Sequence, residues 1–204
     1  MFLTHSPFKL LIQRWRLLVF AGAVVAFFVV LLSLVFTFPP QYRADAQVLV
    51  IAKSRYGIDP YTAAKFAEQI GGNVVQIVGT NDFYEKVTTQ GGHNLDLSKL
   101  NDLSERKKRK VWRKMVDASA VYGTGVLNIS VYNKNQEQAK EWAGAVADTL
   151  VGSGWEYVGS DIGMKVVNTP VVTNWPARPN FILNLVLGFV VGALGMAVAV
   201  VKRG

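Results

Sequence analysis

Two stretches of this chain are free of charge for long enough to cross a lipid bilayer: Leu17–Phe38 (LLVFAGAVVAFFVVLLSLVFTF) and Phe181–Val201 (FILNLVLGFVVGALGMAVAVV). A helix needs about 20 apolar residues to cover roughly 30 Å of hydrocarbon. Each Leu, Ile, Phe or Val near the centre favours insertion by about 0.3–0.6 kcal/mol. Both stretches are therefore expected to be transmembrane helices. They account for the low charge content, 18%, where soluble domains carry about a quarter. Asn184 is the single amide in the second run and lies near its start. A cleaved signal sequence is the competing reading of the first run, and Ala44-Asp45-Ala46 resembles a cleavage site. A signal's apolar core is only about 7–15 residues, shorter than this one.

Lys9, Arg14 and Arg16 precede the first run and Lys202 and Arg203 follow the second, with no acid beside either group. The positive-inside rule then assigns residues 1–16 to a cytoplasmic head and residues 202–204 to a cytoplasmic tail. Residues 39–180 are expected to form one extracytoplasmic domain, which holds every acidic residue of the chain. That segment is long enough to build its own core. Head and tail are too short for a signalling or catalytic domain. The chain has no cysteine, which excludes disulfides and thiolate chemistry.

Within the outer domain, Tyr42–Ala52 alternates and then turns continuously apolar, as a strand entering a sheet does. Asp59-Pro60 predicts an N-cap and first position of a helix running to about Val78, with Ala64, Ala67, Ile70, Val74 and Ile77 or Val78 as its buried stripe. Asp82 and Glu85 predict a capping box for a short helix to about Thr89, and Gly91–Leu97 a loop. A third helix is expected from Asp102 and Glu105 to about Val116, with only Val111, Trp112, Met115 and Val116 able to pack. Ser119–Asn133 predicts two strands around Gly123-Thr124-Gly125. In the second, Leu127, Ile129 and Val131 face one way, and Asn128, Ser130 and Tyr132 the other. One wet face implies a sheet covered on one side only. Asn135 with Gln138 is expected to cap a helix to about Val158, with Ala139, Ala143, Val146 and Leu150 on one stripe. Met164–Thr173 is a last strand. The fold class expected is α+β, a two-layer β-α-α-α-β-β-α-β domain between two transmembrane helices.

The segment TNWPARPNF, Thr173–Phe181, leads into the second apolar run. Proline fixes its own φ and drives the preceding residue out of the helical region. Pro176 and Pro179 are thus expected to form a stiff polyproline II connector, with Trp175 at headgroup level. Phe38-Pro39-Pro40 is expected to do the same beside the first run.

An order of motifs now stands out. An apolar run is followed by a Y-x-A-x-A strand (Tyr42, Ala44, Ala46) and a G-x-L-x-I-x-V-Y strand (Gly125, Leu127, Ile129, Val131, Tyr132). A helix with Gln138-Ala139, a proline-bearing stretch and a glycine-bearing second run complete it. This order resembles the bacterial polysaccharide co-polymerases, the chain-length determinant (Wzz-like) family, which includes transmembrane adaptors of bacterial tyrosine kinases. The resemblance implies a homo-oligomeric scaffold in the bacterial inner membrane. Such a scaffold regulates the length or export of a surface polysaccharide such as capsule or O-antigen. Its implied partners are a polysaccharide polymerase or a tyrosine kinase. The long helical extensions of larger relatives have no room here, nor does the long cytoplasmic tail of kinase adaptors.

The same residues carry few patterns of catalytic chemistry. No Walker A sequence is present, so the chain is not itself the kinase. Gly123-Thr124-Gly125 is too short to cradle phosphate and is expected to be a hairpin turn. His93 with Asp96 supplies two ligands, too few for a metal, and His93 is expected to be a solvated loop residue. Glu137 and Glu141 share a helix face with Lys134 and Lys140 nearby, which suggests surface ion pairs and no acid/base couple. Asn128-Ile129-Ser130 matches a glycosylation sequon on an expected strand, a chance match. The reading is of a non-enzyme with no cofactor, no metal and no nucleic-acid partner. Two features carry more. Arg106, Lys107, Lys108, Arg109 and Lys110, extended by Arg113 and Lys114, are expected to point all round their helix and to contact an anionic polysaccharide or membrane lipid, or else to be solvated. Gly188 and Gly192, with Gly195 beyond, form a GxxxG pattern expected to pack helices and contribute to self-association.

Overall fold

Alternation along Tyr42–Ala52 produces the central strand of the molecule. In the computed structural model Ala44, Ala46, Val48 and Val50 are all buried, while Arg43, Asp45, Gln47 and Leu49 face the other side. The structure describes residues 11–52, 59–159 and 162–203. Lys9, most of the expected head, Ser54 and Gly204 lie outside the described residues. The chain divides into two units, one comprising Gln41–Ala177 and the other Met1–Pro40 with Arg178–Gly204. Among the described residues it is a mixed α+β protein with eight helices and one four-stranded antiparallel sheet.

In the Gln41–Ala177 unit the order is β1 (Tyr42–Ala52), α2 (Pro60–Val78), α3 (Asn81–Thr89), α4 (Ser98–Asn101), α5 (Glu105–Met115), β2 (Val116–Ala120), β3 (Val126–Asn133), α6 (Gln136–Ser153), α7 (Trp155–Val158) and β4 (Ile162–Val172). The sheet order is β2-β3-β1-β4, with every neighbouring pair antiparallel. Tyr42 pairs with Asn133 and Val48 with Leu127. On the other side Ala44 pairs with Val172 and Ala52 with Ile162, with register irregularities around Gln47. These fall near Pro170, which cannot donate to a ladder and is tolerated in an edge strand.

Helices α2 and α6 cover one face of the sheet. Ala139, Ala143, Val146 and Leu150 of α6 are buried as their spacing predicts, and so are Trp142, Gly144, Ala145, Ala147 and Thr149. So much burial on a single helix needs cover on both sides. The sheet supplies one side; α3 and the loop after it supply part of the other. The two-layer expectation thus gains a partial outer cover. Trp112 of α5 completes the core, with its ring 5.3 Å from Tyr84 and 5.9 Å from Trp142 between centroids.

Several local expectations need correction. Ala64 is exposed, so the buried stripe of α2 begins at Ala67. Thr80, not Asp82, caps α3, its hydroxyl accepting from Phe83 N–H at 3.3 Å. Asp82 instead accepts from the Tyr157 hydroxyl. The helix expected from Asp102 begins at Glu105, after Ser104, because Ser98–Asn101 forms its own short turn. Asn135 does cap α6, its side-chain oxygen accepting from Glu137 and Gln138 N–H at 2.8 and 3.4 Å. Gln138 does not fold back on that cap; it reaches a neighbouring loop. The expected helix to Val158 is broken at Gly154, where an added Cβ would meet the carbonyl of Leu150 at 2.3 Å.

The second unit consists of α1 (Trp15–Thr37) and α8 (Phe181–Arg203), packed on each other. Both are long and apolar enough to cross a membrane. Most of their large side chains are exposed, among them Phe20, Phe28, Val35, Ile182 and Leu194. An apolar surface of this extent is compatible with insertion into a membrane.

Candidate functional site

Four features concentrate the polar and packing chemistry of the molecule. The first is the basic helix. Trp112 is 1% exposed and anchors α5, its indole N–H donating to the Val78 carbonyl at 2.7 Å. That contact fixes the rotation of the helix. Lys108 lies on the inner flank and pairs with Glu105 at 3.0 Å, and this hydrogen bond holds its ammonium above the usual lysine range. Arg113 donates from Nε to the Gly79 carbonyl at 3.2 Å. Lys114 lines a cavity of 410 Å³ with Gln41, Leu103, Met115 and Lys134. Arg106, Lys107, Arg109 and Lys110 are exposed and have no ion-pair partner among the described residues. The seven cations are therefore not distributed evenly around the helix. Lys108 alone is half-buried, beside Glu105; the other six are exposed, and Arg113 reaches the Gly79 carbonyl from that exposed side.

The second feature is His93, which is clamped and not simply solvated. Its Nδ1 lies 3.2 Å from Glu141 Oε2 and its Nε2 2.9 Å from Asp148 Oδ2, both carboxylates belonging to α6. The side chain is only 22% exposed. Gly144 lies beneath the ring, where a Cβ would come within 2.7 Å of His93 Cε1. The same loop is stitched down by Asn94 N–H to Glu141 at 3.3 Å, Asp96 N–H to the Gln138 side chain at 2.8 Å, and Gln138 Nε2 to the Asn94 carbonyl at 2.9 Å. The expectation of a solvated loop histidine is corrected, and Glu141, expected in surface ion pairs with lysines, contacts His93 and the Asn94 N–H. Asp96 accepts from Ser98 N–H at 3.0 Å. The i, i+7 spacing of Glu141 and Asp148 was a helical-face signal in the sequence; nothing local tied it to His93.

The third feature is the helix-free face of the sheet. Gln47 donates to Asn128 at 2.7 Å and accepts from Asn168 at 2.5 Å, a side-chain row across three strands. Ser130 donates to Asp45 at 2.6 Å, and Arg43 Nε donates to the same carboxylate at 2.9 Å. These residues, with Ser119 and Thr169, line an open cavity of 570 Å³. Alternation announced that this face is polar, but the row depends on the β1–β4 pairing, which no local pattern encodes.

The fourth feature is the α1–α8 pair. Gly188 and Gly192 both lie against α1: a Cβ on Gly188 would meet Ala26 Cα at 2.7 Å, and one on Gly192 the Ala21 carbonyl at 2.7 Å. Gly195 has nothing within 4 Å. The first two glycines of the pattern thus lie in close contact with a helix of the same chain. Asn184 donates to the Ser33 hydroxyl at 2.6 Å, so the one amide of the apolar run is partnered by the neighbouring helix. The connector carrying Pro176 and Pro179 bends at Asn174–Trp175 and at Pro179, so it is not a uniform polyproline II spacer. Trp175 is 83% exposed.

The two ends of the α+β unit lie side by side. Ala177 N–H donates to the Gln41 carbonyl at 2.8 Å, and Thr173 N–H to the Arg43 carbonyl at 2.8 Å. Compared with known protein families and with curated proteins, the sequence matches none.

Proposed function

We propose that the chain is a non-enzymatic membrane scaffold anchored by two transmembrane helices, with the α+β unit on the extracytoplasmic side of a bacterial inner membrane and both termini cytoplasmic. In this role it associates with further copies of itself and organises a polysaccharide polymerase, so setting the length or export of a surface polysaccharide. The observation that carries the reading is the Gln41–Ala177 pairing. A domain whose first and last residues touch, each continuing into a long apolar helix, is built to be held from one side. The packing of α1 on α8 through Gly188 and Gly192 supports the same arrangement. The polar sheet face and the unpaired cations of α5 supply surfaces for assembly on that side. The order of motifs that resembles the chain-length determinants supplies the polysaccharide, and the test must address it directly.

Three measurements do so. A single cysteine introduced at Asn94 is expected to react with an impermeant maleimide from outside the cytoplasmic membrane; labelling only from the cytosol would end the proposal. The detergent-extracted particle is expected to have a mass of several subunits, and a monomer would remove the scaffold. Deletion of the gene is expected to change the length distribution of a surface polysaccharide, and an unchanged distribution would leave the scaffold without this role.

A further inference from the structure

We propose that α5 and the cavity beside it bind a polysaccharide that carries carboxylates, with one acidic sugar ring seated in the cavity and its neighbours laid along the exposed cations of the helix. The inference rests on the polysaccharide reading of the scaffold and adds to it the charge class of the polymer and the surface that takes it. Every residue involved belongs to the Gln41–Ala177 unit.

Helix geometry gathers the charge on one side. Successive residues turn by about 100° around the axis. Arg109, Arg113, Arg106, Lys110, Lys114 and Lys107 therefore follow one another, in that order, around an arc of about 160°. All six are exposed. Trp112 and Met115, which pack into the core, lie outside the arc. So do Glu105 and Lys108, which pair with each other at 3.0 Å. From Arg106 to Lys114 the arc covers about 12 Å of the axis. Arg106 and Lys110, Lys110 and Lys114, and Arg109 and Arg113 are spaced i, i+4, so like charges face one another and weaken the isolated helix. An anion lying among them turns that repulsion into attraction. A single small anion reaches only a few of the six, whereas a polymer with a charge on each unit reaches along the arc.

The cavity adjoins the edge of this arc. It has a volume of 410 Å³, and α5 contributes Val111, Lys114 and Met115 to its wall. Leu103 continues the apolar part of the wall, and Asn133 and Lys134 the polar part. Apolar walls with a few placed polar groups are what small-ligand sites present. A sugar ring is divided in the same way, with C–H groups on its faces and hydroxyls at its rim. A carboxylate on that ring matches Lys114 and Lys134. Asp96 is the one acid in the wall; it accepts from Ser98 N–H at 3.0 Å, and the two lysines outnumber it. The charged arc thus favours a polyanion, and the mixed wall selects a sugar among polyanions.

The test uses the full chain in phosphatidylcholine nanodiscs and a fluorescein-labelled oligogalacturonate long enough to span α5, with binding read by anisotropy. The oligogalacturonate is expected to bind, and to bind more weakly at about 0.5 M salt. Each cation beside an anionic surface strengthens association about fivefold, so Arg106→Gln with Lys110→Gln is expected to raise Kd about 25-fold. Lys134→Gln, at an exposed position of the cavity wall, is expected to raise Kd for oligogalacturonate about fivefold and to leave the binding of polyglutamate unchanged. Lys165→Gln, on the helix-free face of the sheet, is expected to change neither. Unaltered oligogalacturonate binding in the Arg106→Gln, Lys110→Gln chain overturns the proposal. Polyglutamate that binds as tightly as oligogalacturonate also overturns it and assigns the arc to acidic polypeptide. Equally tight binding of dextran, a neutral polysaccharide, overturns the acidic class and leaves the polysaccharide reading standing. No oligogalacturonate binding, with polysaccharide length still changed in the deletion strain, overturns the proposal alone. An unchanged length in that strain overturns the reading on which it rests.

Discussion

Trp112 donates its indole N–H to the carbonyl oxygen of Val78 at 2.7 Å, closing the last turn of α2 from inside the core. Trp112→Phe keeps most of the ring but strands that carbonyl. An unsatisfied buried acceptor costs about 1–3 kcal/mol. Trp112→Ala adds a cavity and is expected to cost about 3–5 kcal/mol. Denaturant unfolding of the detergent-solubilised protein measures both. A Phe variant as stable as the parent would show that the bond contributes nothing net.

The helix pair makes a paired prediction. Gly192→Leu must displace the Ala21 carbonyl or the Val25 side chain, and overpacking of this kind costs about 1–3 kcal/mol. Gly195→Ala meets open space and is expected to be neutral. Thermal unfolding in detergent, with α1–α8 proximity followed by a cysteine cross-link, separates the two. Equal effects would refute the packing described.

The His93 clamp is tested by exchange. His93→Ala removes both contacts to α6 and leaves the loop held by Gln138 and by Asn94 N–H. Charge-assisted bonds at partly exposed sites contribute modestly, so amide exchange at Asn94 and Asp96 is expected to speed up about tenfold. Gly144→Ala, which pushes the ring off its seat, is expected to produce the same change. Exchange unaltered in both variants would mean the loop is held without the histidine.

Acid acts on the start of α2. Asp59 caps this helix by accepting from Tyr61 and Thr62 N–H at 2.9 and 3.1 Å. The Thr62 hydroxyl and then the backbone bonds hold its carboxyl below the ordinary 3.8. A carboxylate whose folded value is depressed contributes stability that is present above the unfolded value and lost as pH falls through the folded one. The cap is therefore expected to be intact at pH 5 and above, and to loosen as pH drops below 3.8. Amide shifts of Tyr61 and Thr62 report it, and Asp59→Asn is expected to flatten the response. A midpoint at or above 3.8 would contradict the geometry.

Much of this arrangement could be read from local pattern. Alternation marked β1 and β3, and the 3.6-residue spacing of Ala139, Ala143, Val146 and Leu150 marked α6, because burial on one face leaves a period in the chain. Asp59-Pro60 marked a helix start because cap and proline each satisfy a local need. What local pattern could not give was the set of contacts made across long sequence separations. His93 meets carboxylates 48 and 55 residues away. Gln47 meets Asn168 across 121 residues. The basic run showed its charge in the sequence but not its sorting, since Trp112 sets the rotation of α5 by reaching back to Val78. GxxxG promised close helix packing without naming the partner; Ala21, Val25 and Ala26 of the same chain fill that place.

β1 and β4 are hydrogen-bonded along nearly their whole length and carry the two free ends of the α+β unit. With both ends at the same edge of an antiparallel pair, a load that draws them apart opens the ladder one pair at a time from Ala44–Val172 inward. The Gln47–Asn168 bond bears that load only after the outer pairs have parted.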